Sequence, residues 1–337
     1  MIRSSKIVTL VKHLVVRLFD VFKGRDLIAA RLGHEPANCT ALQYYPGYEP
    51  SDYQLVSKYA TQRAFICEDH YVDAFGVKTK VACVPFTISD AKLERLQFPL
   101  PDDGLHAEGI EYAAILNAFS RRRAKPRFVV AEIGSGWGPW IGLAGVLAKN
   151  EGLKDVTLIG AEASPERFRQ MVKHLTVNGL ISSSGFDVRC IDKAVWVFDG
   201  EINFPVSSVD DMGEAATENT AERDYRGHAT RFIKVPCALM SSMCNGVGLI
   251  DFVHIDIQGA ESKIIVNEIQ WLTENVRSIM IATHSRVIEG ALIKVLSEAG
   301  WILKREKPCR FNLESPAKAY EGKTYADGSQ YWINPSR

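Results

Sequence analysis

The chain lacks a C-x-x-C pair, an apolar run long enough to span a bilayer, and an excess of charge of either sign. Its 7 cysteines, Cys39, Cys67, Cys83, Cys190, Cys237, Cys244 and Cys309, are an odd number without metal-finger or redox spacing. That pattern argues against a disulfide framework or a structural zinc site and fits reduced thiols in a cytoplasm. A membrane helix needs about 18 uninterrupted apolar residues; none occurs, so the chain reads as soluble. Lys and Arg number 40 and Asp and Glu 40, so no global field draws it to nucleic acid. What is there is an ordinary globular composition, 46% hydrophobic and 24% charged over 337 residues, enough for one enlarged domain or two smaller ones.

Residues 1–105 read as a leader and 106–337 as the main domain. The leader opens with Arg3, Lys6, Lys12, Arg17, Lys23, Arg25 and Arg31 against only Asp20 and Asp26. Ile7, Leu10, Val11, Leu14, Val15, Leu18, Phe19 and Phe22 recur at helical spacing, which predicts an amphipathic helix. Two readings stand for it: peripheral contact with an anionic membrane through residues 3–23, or packing on the body or on a second subunit of a homo-oligomer. A signal peptide is not expected, because Lys12 and His13 interrupt the apolar stretch and no small-residue cleavage site follows. Residues 35–105 alternate short apolar runs with Pro, Gly and Asp, which predicts a small irregular α+β extension. A helix through Ile110, Ala113, Ala114, Leu116 and Ala118 then ends near Arg121, Arg122, Arg123 and Lys125, cations that complement a helix C-terminus.

From residue 128 apolar strands alternate with amphipathic helices, the pattern of a doubly wound α/β sheet. The expected strands are Phe128 to Ile133, "VTLIGAE" ending at Glu162, Phe186 to Ile191, "LIDFVHIDI", "SIMIATH", Trp301 to Arg305 and "SQYWIN". Pro139 and Pro165 each suit the first turn of a helix, and Ser164 suits a cap. Residues 196–248 read as an insertion, with a hairpin expected around Asp199 and Gly200 and a polar middle that is either a substrate lid or disordered.

The loop after the first of these strands reads "AEIGSGWGPW". A dinucleotide fingerprint needs its third glycine three places after the second; Pro139 stands there, which disfavours a nicotinamide dehydrogenase. The glycines are Gly134, Gly136 and Gly138, with Ser135 and Trp137 between them. Glu162, at the end of the second strand and followed by Ala163, is placed to accept both hydroxyls of a ribose. Glu132 is placed to receive an amino group, and Asp192 in "IDKA" stands where an adenine amino group is expected. Ribose plus amino acid points to S-adenosylmethionine.

"AEIGSGWGPW", "GAEASPERFRQMVKHLTVNGL", "CIDKAVW" and above all "IDFVHIDIQGAESKII" resemble the class I S-adenosylmethionine-dependent methyltransferases, and more narrowly the FkbM-like family with its D-F-x-K-x-D-x-E-G-x-E block. The resemblance spans roughly residues 106–305. It implies a Rossmann-like, seven-stranded methyltransferase sheet and methyl transfer to a hydroxyl on a sugar, glycan or other natural product. Carried over by position, Gly134, Gly136 and Gly138 line the methionine and ribose, Glu162 the ribose, Asp192, Lys193 and Ala194 the adenine, and Asp256 the catalytic mouth. The sequence departs from the family at His254, where a lysine is usual, at Gln258, where a glutamate is usual, and at Ala282, where an acid precedes the histidine. These departures motivate a rival reading, a noncatalytic S-adenosylmethionine-binding or scaffold protein.

Methyl transfer to an alcohol needs aligned reactants and a base for the hydroxyl proton. His254, Asp256 and Gln258 share one face if the strand stays extended through all three, and Asp256 is nearest the ligand end. His254 lies deeper, where a hydrogen-bonded structural role is the expectation. His284, at the end of the next strand, is the leading base, with a structural role the alternative. Glu261 favours a helix N-terminus; with Asp256 and His284 it offers the alternative of a divalent cation. His106, Glu108 and Glu111 either close over the cofactor or cap a helix, and Trp137 and Trp140 either wall the site or pack in the core.

Overall fold

The computed structural model describes residues 47–62, 64–83, 109–122, 126–181, 185–206, 213–218, 231–315 and 321–337. The amphipathic helix expected within residues 3–23, His106, Glu108 and most of the polar middle of the insertion lie outside them. Among the described residues no helix is long and apolar enough to cross a membrane.

The chain runs through α1 (Pro50–Tyr59), a small antiparallel sheet β1 (Phe65–Cys67), β2 (His70–Val72) and β3 (Lys78–Lys80), then α2 (Gly109–Arg121), β4 (Arg127–Ile133), α3 (Pro139–Asn150), β5 (Asp155–Ala161), α4 (Pro165–Val177) and β6 (Asp187–Ile191). Next come β7 (Ala194–Val195), β8 (Gly200–Val206), β9 (Arg231–Ala238) and the single turn α5 (Met240–Met243). The last part alternates β10 (Phe252–Ile255), α6 (Glu261–Asn275), β11 (Ser278–Thr283), α7 (Arg286–Glu298) and β12 (Ile302–Lys307), and ends in β13 (Arg310–Phe311), β14 (Thr324–Ala326) and β15 (Gly328–Ile333).

Seven strands form the central sheet in the order β12-β15-β11-β10-β4-β5-β6. The five from β11 to β6 are parallel, and β15 runs antiparallel to both of its neighbours. This is the Rossmann-like, doubly wound sheet that the resemblance implies. Both faces are covered, which is why β4 and β10 read as continuous apolar runs rather than as alternation. Phe128, Val130, Leu158 and Phe252 face a core with α2, α3 and α4. Val129, Ala131, Ile159 and Val253 face the other core, with α6 and α7. Strand order reverses between β4 and β10, so the loops beyond their carboxyl ends diverge and leave a crevice, the usual place for a ligand in such sheets.

The described part of the leader, residues 47–62 and 64–83, is α+β, and Tyr48, Val56, Tyr59, Phe75 and Val77 join the first of those cores. In the insertion the expected hairpin at Asp199 and Gly200 does not form. β7 and β8 do not pair with each other; both pair with β9, in the order β7-β9-β8. The Asp199 carboxylate accepts the Leu239 N–H at 2.9 Å instead of closing a two-residue turn.

Candidate active site

At the end of β4 the Gly134 and Ser135 amides both donate to the Ala161 carbonyl of β5. Gly134 has φ +75°, and a Cβ there would stand 1.7 Å from the Asp256 carbonyl oxygen. The left-handed backbone and that close approach both demand glycine. Gly136 (φ +55°) is different, since a Cβ there would meet nothing within 4 Å; its amide donates to Glu162 Oε2 at 2.7 Å. Gly138 precedes α3, whose first helical residue is Pro139, as expected. Ser164 occupies the cap position of α4, but its hydroxyl makes no cap bond. Instead Glu162 Oε1 accepts the Ser164 N–H at 2.7 Å, so one carboxylate ties the glycine loop to the start of α4. Burial pushes the Glu162 carboxyl up to about 7, against the pull of the Ser164 and Gly136 amides.

Beyond these strand ends lies a cavity that opens to solvent. Of the residues expected to bind a cofactor, Gly134, Gly136, Glu162, Ala163, Lys193, Ala194 and Asp256 line it. Five others do not: Glu132, Ser135, Trp137, Gly138 and Asp192. Glu132 is 1% exposed and accepts the Ile141 N–H at 2.9 Å, so it caps α3 from below rather than meeting a ligand amino group. Burial pushes it up to about 8, offset in part by His254 and by the Ile141 and Trp140 amides. Ser135 is buried with its hydroxyl on the Glu132 carbonyl, and Trp137 is buried. Asp192 is exposed to solvent outside the cavity.

The structure adds wall residues that the sequence did not single out. Trp196 and Phe204 give the far end apolar aromatic surface, and Arg167 and Glu214 stand there with Nε and Oε2 3.7 Å apart. Phe204 falls on the alternation of "EINFPV", a usable signal, whereas Trp196 sits in an unbroken apolar run and Glu214 in polar sequence that offers none. Outside the wall the Lys263 ammonium lies 4.4 Å from the centre of the Trp196 ring and bonds Glu218, which also accepts the Trp196 indole N–H. The described part of the insertion is thereby clamped to the first turn of α6.

Asp256 follows directly on β10, and its amide continues the pairing by donating to the Ile133 carbonyl. The strand does not stay extended through Gln258, which has φ +56° in the turn leading to α6. That turn brings the Ile257 and Gly259 amides onto the Glu261 carboxylate, at 3.2 and 3.0 Å. Glu261 Oε1 also contacts His284 Nδ1 at 2.9 Å, while His284 Nε2 stands 3.4 Å from Asp256 Oδ1. The Asp256 side chain is 35% exposed, His284 is 6% and Glu261 is 0%. Burial opposes a charged His284 ring, but the Glu261 charge and hydrogen bond, with Asp256 and Asp327, outweigh it and push the imidazole up to about 10. Burial likewise opposes a Glu261 carboxylate, yet His284 and the Gly259 amide hold the group below its ordinary value.

Asp256, Glu261 and His284 form a cluster whose ligand-type atoms lie within 4.8 Å of one another. They are the oxygen and imidazole donors that a divalent cation takes. Both His284 nitrogens face carboxylates, and each Glu261 oxygen accepts an amide N–H. His254 is 3% exposed and bonds Glu111 of α2 at 2.8 Å, with its ring 5.3 Å from Trp140. This is the hydrogen-bonded role expected of it, and Glu111 is thereby placed in the core rather than over the cofactor.

A curated relative from Jannaschia sp. (strain CCS1) is named "Putative methyltransferase". It is 29% identical over 242 residues, covering 69% of this chain and 82% of the relative. Two solved structures match at greater distance. Precorrin-6y C5,15-methyltransferase from Geobacter metallireducens GS-15 has a TM-score of 0.36 at 9% identity, covering 68% of this chain and 88% of that one. The N-terminal domain of human METTL16 in complex with SAH has a TM-score of 0.35 at 12% identity, covering 65% of this chain and 67% of that one. No family model matches the chain.

Proposed function

We propose that this protein is a methyltransferase that binds S-adenosylmethionine in the cavity beyond β4, β5 and β10 and methylates a hydroxyl of a sugar, glycan or other small natural product. The observation that carries the reading is one cavity that joins an open glycine turn at Gly136, the strand-end acid Glu162 and a second strand-end acid, Asp256. The curated relative's name supports it. When bound, S-adenosylmethionine supplies a methyl carbon on a positive sulfur. Glu162 keeps lone pairs beyond those facing the Gly136 and Ser164 amides, and these would accept the ribose hydroxyls. Trp196 and Phe204 offer flat apolar walls for an adenine ring. Asp256 contributes negative charge next to the glycine turn, where a sulfonium and a hydroxyl proton both need it.

The test is calorimetric titration with S-adenosylmethionine and, separately, NAD, followed by a screen of hydroxylated acceptors for release of S-adenosylhomocysteine. Binding of S-adenosylmethionine alone, with release in the presence of an acceptor, is expected. Absence of any heat with S-adenosylmethionine would sink the reading. Binding without release from any hydroxylated acceptor would remove the O-methylation step.

A further inference from the structure

Resting on that reading, we infer that Glu214, which the insertion brings to the cavity wall, accepts the adenine amino group of the cofactor and makes the site select adenine over hypoxanthine. The contact expected of Asp192 thereby passes to a residue of the insertion.

The order of the strand ends fixes which way a nucleoside can lie. β10, β4, β5 and β6 are successive neighbours in the sheet. Neighbouring strands stand about 4.8 Å apart, so the end of the cavity beyond β10 is separated from the end beyond β6 by roughly 14 Å. Among the described residues of the wall, three carry carboxylates: Asp256 directly after β10, Glu162 directly after β5, and Glu214. With the ribose assigned to Glu162 and the methionine to the glycine turn, Ala194, Trp196 and Phe204 on the β6 side are left for the base. Glu214 belongs to that side. Its Oε2 stands 3.7 Å from Nε of Arg167, near the start of the helix that follows β5, and its side chain is only 10% exposed. Asp192 is exposed and does not line the cavity.

Glu214 is held in place by the fold rather than by a ligand. Residues 213–218 run beside β8, where Thr217 forms an antiparallel bridge with Asn203 and donates its amide to the Asn203 carbonyl at 2.9 Å. Asn203 Nδ2 in turn donates to the Glu218 carbonyl at 3.3 Å. The Glu218 carboxylate accepts the Trp196 indole N–H at 3.2 Å and the Lys263 ammonium. Glu214 and Ala216 both face the cavity from this pinned segment. A carboxylate accepts hydrogen bonds and donates none. Adenine turns an amino donor toward it; hypoxanthine carries a carbonyl oxygen at the same place, so two acceptors would meet. Glu214 therefore rewards one base and repels the other.

The test is calorimetric titration of the full chain with S-adenosylhomocysteine and with S-inosylhomocysteine, in which a carbonyl replaces the amino group. The wild type is expected to bind the adenosyl compound about 30-fold more tightly. Glu214→Gln, whose amide can turn either its oxygen or its nitrogen to the base, should bring the two affinities within about threefold, chiefly by strengthening the inosyl compound. A gain of binding cannot come from misfolding. Glu214→Ala should weaken the adenosyl compound about 10-fold and spare the inosyl one, and Asp192→Ala should leave the wild-type ratio as it is. Equal binding of the two compounds by the wild type, a ratio unmoved by both Glu214 variants, or a ratio that collapses in Asp192→Ala overturns the inference. If S-adenosylhomocysteine does not bind at all, the proposed function falls; if it binds with a ratio indifferent to Glu214, this inference falls alone.

Discussion

At Glu162 two backbone amides, those of Gly136 and Ser164, converge on one buried carboxyl that lost hydration pushes up to about 7. Near neutrality its charge therefore depends on what else donates to it. Ribose hydroxyls stabilise the ionised form, so binding lowers the group's pKa and releases a proton wherever the free site is protonated. Affinity for S-adenosylmethionine should be flat above about pH 7 and weaken below it, up to about tenfold per pH unit. Calorimetry in buffers of different ionisation enthalpy checks both the affinity and the proton released; a pH-independent constant between pH 5.5 and 8, with no proton release, would remove Glu162 from the ribose. Glu162→Ala should weaken binding about 100-fold, from two charge-assisted hydrogen bonds at about 1.5 kcal/mol each. Gly134 is constrained in another way. Gly134→Ala places a methyl against the Asp256 carbonyl in a left-handed backbone, so it should cost about 3 kcal/mol or more and lower the melting temperature. An unchanged melting curve would mean that the β4 and β10 ends separate freely.

Strands and helices are legible wherever the signal is local. β4, β5 and β10 are runs of apolar residues bounded by turns, and Pro139 and Pro165 mark helix starts that the structure has at those residues. The elements misread are those whose partners lie far along the chain. Asp199 and Gly200 carry the dipeptide of a two-residue turn, yet β8 finds its neighbour in β9, across residues 207–230. Glu261, by contrast, stands in the first turn of α6 as its sequence suggests, and the sheet brings to it the His284 with which the sequence already grouped it. Glu132 pairs in register with His254, so its carboxyl lies buried beneath the glycine loop. The joint between the leader and α4 shows the same dependence on distant partners. The Asn178 side chain accepts the Lys78 N–H and donates to the Lys78 carbonyl, both at 2.8 Å, and Asn178 is buried. Asn178→Ala leaves two backbone groups of β3 without those bonds and should cost about 2 kcal/mol. Hydrogen exchange should speed at β2 and β3 while β4 and β10 stay protected; equal acceleration in all four would show that the leader unfolds only with the sheet.

For the molecule as a whole, the buried ionisable groups beside the strand ends bias stability in one direction. Glu132 and Glu162 are pushed up to about 8 and about 7 from an ordinary value near 4.5, so between those limits the folded state holds protons that the unfolded chain has released. His284, pushed up to about 10, and His254, raised through its bond to Glu111, continue the same imbalance above the ordinary histidine value of 6.5. Their contribution is complete below that value and is lost as pH rises through the folded-state values. Glu261 alone is shifted the other way, and its contribution is lost only as pH falls below the ordinary carboxyl range. Each extra proton held by the folded state lowers stability by about 1.4 kcal/mol for every pH unit of rise. The melting temperature should therefore fall steadily from about pH 6 to pH 9, and refolding at pH 8 should take up protons. Glu132→Gln supplies the control, because a neutral amide in its place removes the carboxyl's share and should flatten the lower part of the curve, between about pH 5 and 8. Saturating S-adenosylmethionine should flatten the part that belongs to Glu162, since a ligand that prefers the carboxylate opposes the same proton. A melting temperature that rises with pH across this range would show that these carboxyls and imidazoles are hydrated in solution rather than enclosed as they are here.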